Sequence, residues 1–215
     1  MNIQSINQQT FGARNLTIRR ADDIVRKVNN EFPRVSITKI ESLPNAKYYL
    51  FLLRNLWIKT IDMRDSTRHD FLTLNKNNFK EKILSIINPI KDLKLGNCRE
   101  SAILGLLGAK ANGIKNCKIA FLKSPDGYDF DHAVVLVKDK KPYIIDAWLG
   151  FADYVPKSIE RYKKEFRNCF DFEEAKTEKM IVKEDFGLIY YFLNNKTSSK
   201  KSIDEIKKIC SNLII

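Results

Sequence analysis

Histidine is the scarcest chemistry-bearing residue in this 215-residue chain: there are two, His69 and His132. Any mechanism that needs an imidazole has only those two places to find one. Cysteine is sparse as well. The four, Cys98, Cys117, Cys169 and Cys210, include no C-x-x-C pair and no histidine at metal-ligand spacing. That pattern argues against a zinc site and leaves free thiols, with no metal or cofactor called for. Long apolar runs are missing too. The longest, 48–53 and 102–109, fall short of the ~18 residues a membrane span needs, and no charged segment followed by an apolar one opens the chain. The expectation is no membrane span and a cytoplasmic protein, or one exported without a cleaved secretory signal. Neither an internal repeat nor a low-complexity linker divides the chain.

Acidic residues are under-represented. Against 26 Asp and Glu stand 38 Lys and Arg, a formal charge of +12. A basic balance raises the question of a polyanionic partner. The composition answers against nucleic acid: 27 of the bases are Lys and only 11 are Arg, the residue suited to bidentate phosphate and guanine contacts. The densest lysine groups are 138, 140 and 141, and 196, 200, 201, 207 and 208; none is interleaved with aromatics as a stacking platform would be. The lysines read as solvated faces. Their attraction for acidic partners keeps one alternative in play, a non-catalytic basic interaction module.

What is present suffices for a core. With 44% hydrophobic and 11% aromatic residues, a chain of this length buries about 70% of the surface its unfolded form exposes. Disorder and small disulfide scaffolds are excluded on these grounds. Residues 1–13 carry no charge and are rich in Asn and Gln, which reads as a mobile polar arm; 14–215 reads as one domain. The spacing of Ala21, Ile24, Val25, Val28 and Phe32 predicts a helix ended by Pro33. Further helices are predicted over 45–61 and over 78–87, before Pro89. After Gly96 comes a helix over 97–112, closed by Gly113, then strands over 118–122, 133–138 and 143–148. A helix over 156–166, a strand over 186–193 and a helix over 202–213 follow. A helical first half followed by a helix and an antiparallel sheet makes the fold class α+β.

His132 opens the strand Asp131-His132-Ala133-Val134-Val135, and Asp146 lies fourteen residues on, in the next strand. In an antiparallel hairpin an odd connecting loop pairs even-numbered positions with even, so both side chains share a face. With 138–140 as a three-residue loop they lie directly opposite; with 139–141 they are diagonal neighbours. A regular two-residue turn would send Asp146 to the other side. The third member is Cys98, in the first turn of the preceding helix, where unpaired backbone N–H groups and the helix dipole favour thiolate. Cys98, Ala102, Gly105 and Ala109 form a small-residue stripe that lets a sheet approach.

Roles follow from the chemistry. Cys98 attacks a carbonyl, His132 takes the thiol proton and returns it to the leaving amine, and Asp146 fixes the imidazole's tautomer and orientation. The Cys98 N–H is one oxyanion donor, and the Asn97 side chain is a candidate for the second. His69, among polar neighbours, reads as a surface residue; Trp148 reads as core, and Cys117, Cys169 and Cys210 as packing residues.

Gly96-Asn97-Cys98-Arg99-Glu100, His132-Ala133 and Asp146 resemble the motifs of transglutaminase-like, papain-type cysteine enzymes. In that superfamily G-x-C-x-[DE] opens the nucleophile helix, H-A begins a strand and an Asp follows about fifteen residues after the His. The resemblance covers residues 95–150, and the compact size is similar to that of bacterial effector deamidases and proteases. Val134 stands where an aromatic often follows H-A, and Ala147-Trp148 stands where proline often follows the Asp. The resemblance implies a thiol enzyme, a protease, glutamine deamidase or transglutaminase-like acyl transferase, with a protein or peptide substrate.

Overall fold

Residues 102–109 read Ala-Ile-Leu-Gly-Leu-Leu-Gly-Ala, apolar on every side. A helix with no polar face has nowhere to go but the interior. This is α5 (Cys98–Ala111), buried without interruption from Glu100 to Lys110, and the rest of the molecule is arranged around it. The description comes from a computed structural model and covers residues 3–41, 45–74, 78–122, 132–165 and 188–212, without the side chains of 3–15, 40, 49, 163, 188 and 212.

Four helices precede α5: α1 (Ile3–Glu31), α2 (Ile37–Glu41), α3 (Leu50–Thr73), preceded by a 3₁₀ turn (Ala46–Tyr49), and α4 (Phe79–Leu93). After α5 come β1 (Cys117–Leu122), β2 (His132–Val137), β3 (Tyr143–Asp146) and β4 (Phe151–Tyr154). Then follow α6 (Val155–Glu165), α7 (Leu188–Lys196) and α8 (Lys200–Asn212). The strands pair antiparallel in chain order, β1-β2-β3-β4, as a meander. The fold is α+β, and among the described residues no helix is long and apolar enough to cross a membrane.

The pleat divides the sheet's side chains between two layers. Ile119, Phe121, Val135, Val137, Tyr143 and Ile145 join the large core with α5, α1, α4 and α8. Ala120, Leu122, Val134, Leu136, Ile144 and Phe151 pack with Val155 and Tyr162 of α6 on the opposite face. Each edge strand is met at one residue by a helix side chain, which satisfies backbone groups that the sheet leaves unpaired. On β1, Asn194 of α7 accepts from the Ile119 N–H at 2.8 Å and donates to its carbonyl at 3.2 Å. On β4, Asp22 of α1 accepts from the Ala152 N–H at 2.7 Å.

Several expectations are corrected. The predicted strand over 186–193 lies, for its described part from Leu188 on, in α7. Its apolar aromatic run suits either state, and the long-range amide clasp on Ile119 selects the helix. Pro89 sits inside α4 rather than ending it. The helix continues because Ile90, like Ile83, Ile86 and Ile87, is buried. Burying such a side chain is worth about 1.5–3 kcal/mol, comparable to the ~3 kcal/mol an internal proline costs. The chain stops a turn later at Lys94, in the left-handed region at φ 51°. The third strand ends at Asp146, two residues early, because 147–150 turn, with Gly150 at φ 82°, to start the unforeseen β4. Finally, α1 begins at Ile3, so the backbone of 3–13 is helical where composition reads as an arm.

Candidate active site

The β2–β3 register pairs Val135 with Ile145, Leu136 with Ile144 and Val137 with Tyr143. Even positions meet even, and the register is that of a 139–141 loop: His132 and Asp146 are diagonal neighbours on one face, at one end of the sheet. The geometry there is close. His132 Nε2 lies 2.6 Å from Asp146 Oδ2, with both side chains shut off from solvent.

Asp146 is held from four directions. Oδ1 accepts from the backbone N–H groups of Trp148 (3.0 Å) and Leu149 (2.9 Å), the first residues of the turn that ends β3. Oδ2 accepts from the Tyr162 hydroxyl at 2.9 Å as well as facing His132. Burial acts to raise its pKa, but the His132 charge and hydrogen bond, the Leu149 N–H and the Tyr162 hydroxyl outweigh it and hold the carboxyl below its usual range. For His132 burial works against the charged form. The Asp146 charge and hydrogen bond, with a further hydrogen bond and charge interaction from Cys98, push the imidazole up to about 10. The ring is enclosed by the indole of Trp148, 5.1 Å away, and the edge of Tyr162, 5.5 Å away.

Cys98 arrives from the other side of the sheet. Gly105 marks where α5 crosses it, its Cα facing Val135, Ala147 and Ile145. From Gly105 back to Cys98 is seven helical residues, about 10 Å, and from Val135 back to His132 is three strand residues, also about 10 Å. Helix start and strand start thus reach the same end of the sheet, where the half-buried thiol hydrogen-bonds His132. The small-residue stripe permits the approach, but the meeting happens around the end of the sheet and not across its face. With Nε2 occupied by Asp146, Nδ1 is the nitrogen left for the sulfur.

The start of α5 is fixed by the helical first half. Between α1 and α2, Val35 pairs with the segment before α5: its N–H donates to Lys94 O (2.8 Å) and its carbonyl accepts from Gly96 N (3.2 Å). One residue on, the Ser36 hydroxyl donates to Asn97 Oδ1 (3.1 Å) and accepts from Trp148 Nε1 (2.8 Å). The Ile37 N–H also donates to Asn97 Oδ1, at 3.1 Å. Arg34 joins the same two elements, donating to Ser101 Oγ at 2.9 Å and Ala147 O at 3.4 Å. Glu100 accepts from the Asn97 N–H at 2.8 Å and takes both prongs of Arg64 from α3, at 2.7 and 2.9 Å. Burial disfavours its charge, yet Arg64 and the Asn97 N–H keep its pKa lowered.

Sequence reasoning missed Tyr162, Ser36, Arg34 and Arg64. Nothing local marks the first three. Asn97-x-x-Glu100, however, is a capping-box spacing that points to a rigid helix start. Of the other candidates, His69 is exposed on α3. Trp148 is half-buried and roofs the imidazole, with Lys39 over its ring at 5.0 Å. Cys117 and Cys210 are buried free thiols, pushed up by burial to about 11 and about 12. Cys169 lies outside the described residues. Among the described residues no cluster of three His, Cys, Asp or Glu offers a metal site. A hollow of about 280 Å³ lined by Arg34, Ser36, Lys39, Gly96 and Trp148 opens beside the start of α5.

No protein-family profile, curated protein or solved structure matches this chain.

Proposed function

We propose that the protein is a thiol-dependent enzyme acting on a peptide bond or a glutamine carboxamide, with Cys98 as nucleophile, His132 as acid and base and Asp146 as its anchor. The core is read as papain- or transglutaminase-like. One observation carries this: a buried imidazole held between a carboxylate at 2.6 Å and a thiol at a helix start. A protonated His132 beside Cys98 is the counter-charge a thiolate nucleophile needs.

In the acylation step the Cys98 sulfur forms a bond to the carbonyl carbon, and the carbonyl electrons move to oxygen. The Cys98 N–H is one donor to that oxyanion. The Asn97 amide, its oxygen held by Ser36 and Ile37, turns its NH₂ end to donation as the second. The C–N bond then breaks as His132 gives its proton to the departing amine. Water, or an amine in a transferase, attacks the thioester, its proton returns to His132, and the thiolate leaves. Asp146 stays ionised throughout and steadies the imidazolium.

The test is mass analysis of proteins incubated with the purified chain. The small mass gain of amide-to-acid conversion indicates deamidation, fragments indicate proteolysis and covalent adducts indicate transfer. Each must disappear, or slow by about 10³–10⁶, in Cys98→Ala. Unchanged substrates throughout, with salt-dependent binding to acidic proteins, would favour the non-catalytic module instead.

A further inference from the structure

Ser36 stands where the helical half meets the start of α5 and the turn after β3. Val35, the residue before it, is bridged to Leu95 through Lys94 O and the Gly96 N–H. That pairing lays Ser36 beside Asn97, 61 positions away in the chain. The Ser36 hydroxyl lies 3.1 Å from Asn97 Oδ1 and 2.8 Å from Trp148 Nε1. Chemistry dictates the direction of both bonds. An indole N–H can only donate, so the Ser36 oxygen accepts from Trp148 and its own proton is left for an acceptor. The Thr38 hydroxyl, 3.2 Å from Ser36 and 3.4 Å from Asn97 Oδ1, borders the same pair.

The Asn97 amide is oriented by the same logic. The Ile37 backbone N–H, a donor only, lies 3.1 Å from one end of that amide, and this end must therefore be the carbonyl oxygen. The other end, Nδ2, makes no hydrogen bond with the described residues, although Asn97 is only 5% exposed. No buried side-chain nitrogen or oxygen among the described residues lacks a partner, so Nδ2 is open to a ligand. Donation from Trp148 to Ser36 and from Ser36 to Asn97 runs in one direction, and each bond in such a chain polarises the next. It ends on an amide whose N–H₂ faces away from its own supports. We propose that Ser36 is a positioning residue for acyl chemistry, acting through Asn97 to aim the second oxyanion donor. The inference rests on the reading of Cys98 as the nucleophile, but Ser36 itself touches neither sulfur nor substrate.

Two reagents separate the aiming of an oxyanion donor from the activation of the thiol. Iodoacetamide is attacked at a saturated carbon; iodide leaves and no oxyanion forms. With p-nitrophenyl acetate the Cys98 thiolate bonds to the carbonyl carbon and the carbonyl electrons pass to oxygen. Their return expels p-nitrophenolate and leaves the acetyl group on sulfur. In the full chain, Ser36→Ala should keep the melting transition and the Cys98 alkylation rate within about twofold. Its Cys98 acetylation, read by peptide mass, should slow by about tenfold, a partial loss because Ile37 still holds the amide. Asn97→Ala should slow acetylation by about 10²–10³. Adding Ser36→Ala to that variant should slow it by less than about twofold more, since the serine has lost the group it acts through. Ser36→Ala slowing both reagents alike, slowing neither, or keeping its full effect on the Asn97→Ala background would overturn the proposal and leave the nucleophile standing. A parent Cys98 alkylated no faster than Cys117 and Cys210 would instead end the thiol reading, and this proposal with it.

Discussion

Asp146 takes part in four hydrogen-bond contacts at once. Two backbone N–H groups fix one oxygen, and Tyr162 and His132 share the other. A carboxylate so held has one imidazole geometry to offer. Tyr162→Phe keeps the ring against His132 and removes one donor of four. Hydrogen bonds to charged groups are worth about 1.5–3 kcal/mol, so denaturant unfolding should show a loss of that order. Turnover should fall little, because the imidazole keeps its anchor. Asp146→Asn, by contrast, should lower turnover by a factor of order 10⁴, since the amide no longer selects the required tautomer. Equal losses in the two variants would show Tyr162 to be more than a support. At this scale the sequence was informative where chemistry is rare: two histidines narrowed the search to His132, and strand parity put Asp146 on its face. Tyr162 was illegible because it lies sixteen residues from Asp146 on another helix and belongs to no local pattern.

At the scale of elements, α5 depends on how closely its start and its middle are approached. A Cβ at Gly96 would lie 2.8 Å from the Glu100 Cβ, an atom fixed to the helix backbone, and 3.3 Å from the Arg34 side chain. At Gly105 the nearest neighbour, Val135, would be at 3.4 Å, an ordinary contact. Gly96→Ala should therefore destabilise by about 1–3 kcal/mol and displace Cys98. Gly105→Ala gains helix propensity and should stay within about 1 kcal/mol of the parent. Thermal unfolding and thiol reactivity of the two variants check the contrast; a benign Gly96→Ala would mean that the tight start of α5 is not what sets the sulfur. Elements with a strong local period were readable. The buried row Ala21, Ile24, Val25, Val28 and Phe32 appears as the spacing predicts. β4 was not readable, since four residues, Phe151–Tyr154, become a strand only through pairing with β3 and the Asp22 clasp. The helix α7 was misread for the same reason, its state being decided by Asn194 on a distant strand edge.

Across the whole molecule, the helical half and the sheet meet at the site, through Val35, Ser36 and Arg34 on one side and Arg64–Glu100 on the other. None of these links could be inferred from spacing, because each joins residues at least 36 positions apart. The charged pair at the centre also gives the fold a pH signature. The His132 pKa rises from 6.5 unfolded to about 10 folded. Its contribution to stability is thus complete below about 6.5 and fades as pH climbs through about 10. Asp146 is lowered from 3.8. Its contribution is complete above that value and fades as pH falls through the folded one. Urea unfolding across this range should show stability from the pair greatest between about pH 4 and 6.5 and declining above it. His132→Gln should flatten the alkaline slope; a slope unchanged by that substitution would place its origin elsewhere.

The most direct measurement is the alkylation rate of each cysteine by iodoacetamide near neutral pH, read by peptide mass. Cys98 should be modified much faster than Cys117 and Cys210, whose thiols are buried and pushed up in pKa. His132→Ala should bring the Cys98 rate down toward that of an ordinary exposed thiol. Cys98 reacting no faster than the buried thiols, or at the same rate with and without the imidazole, would contradict the account.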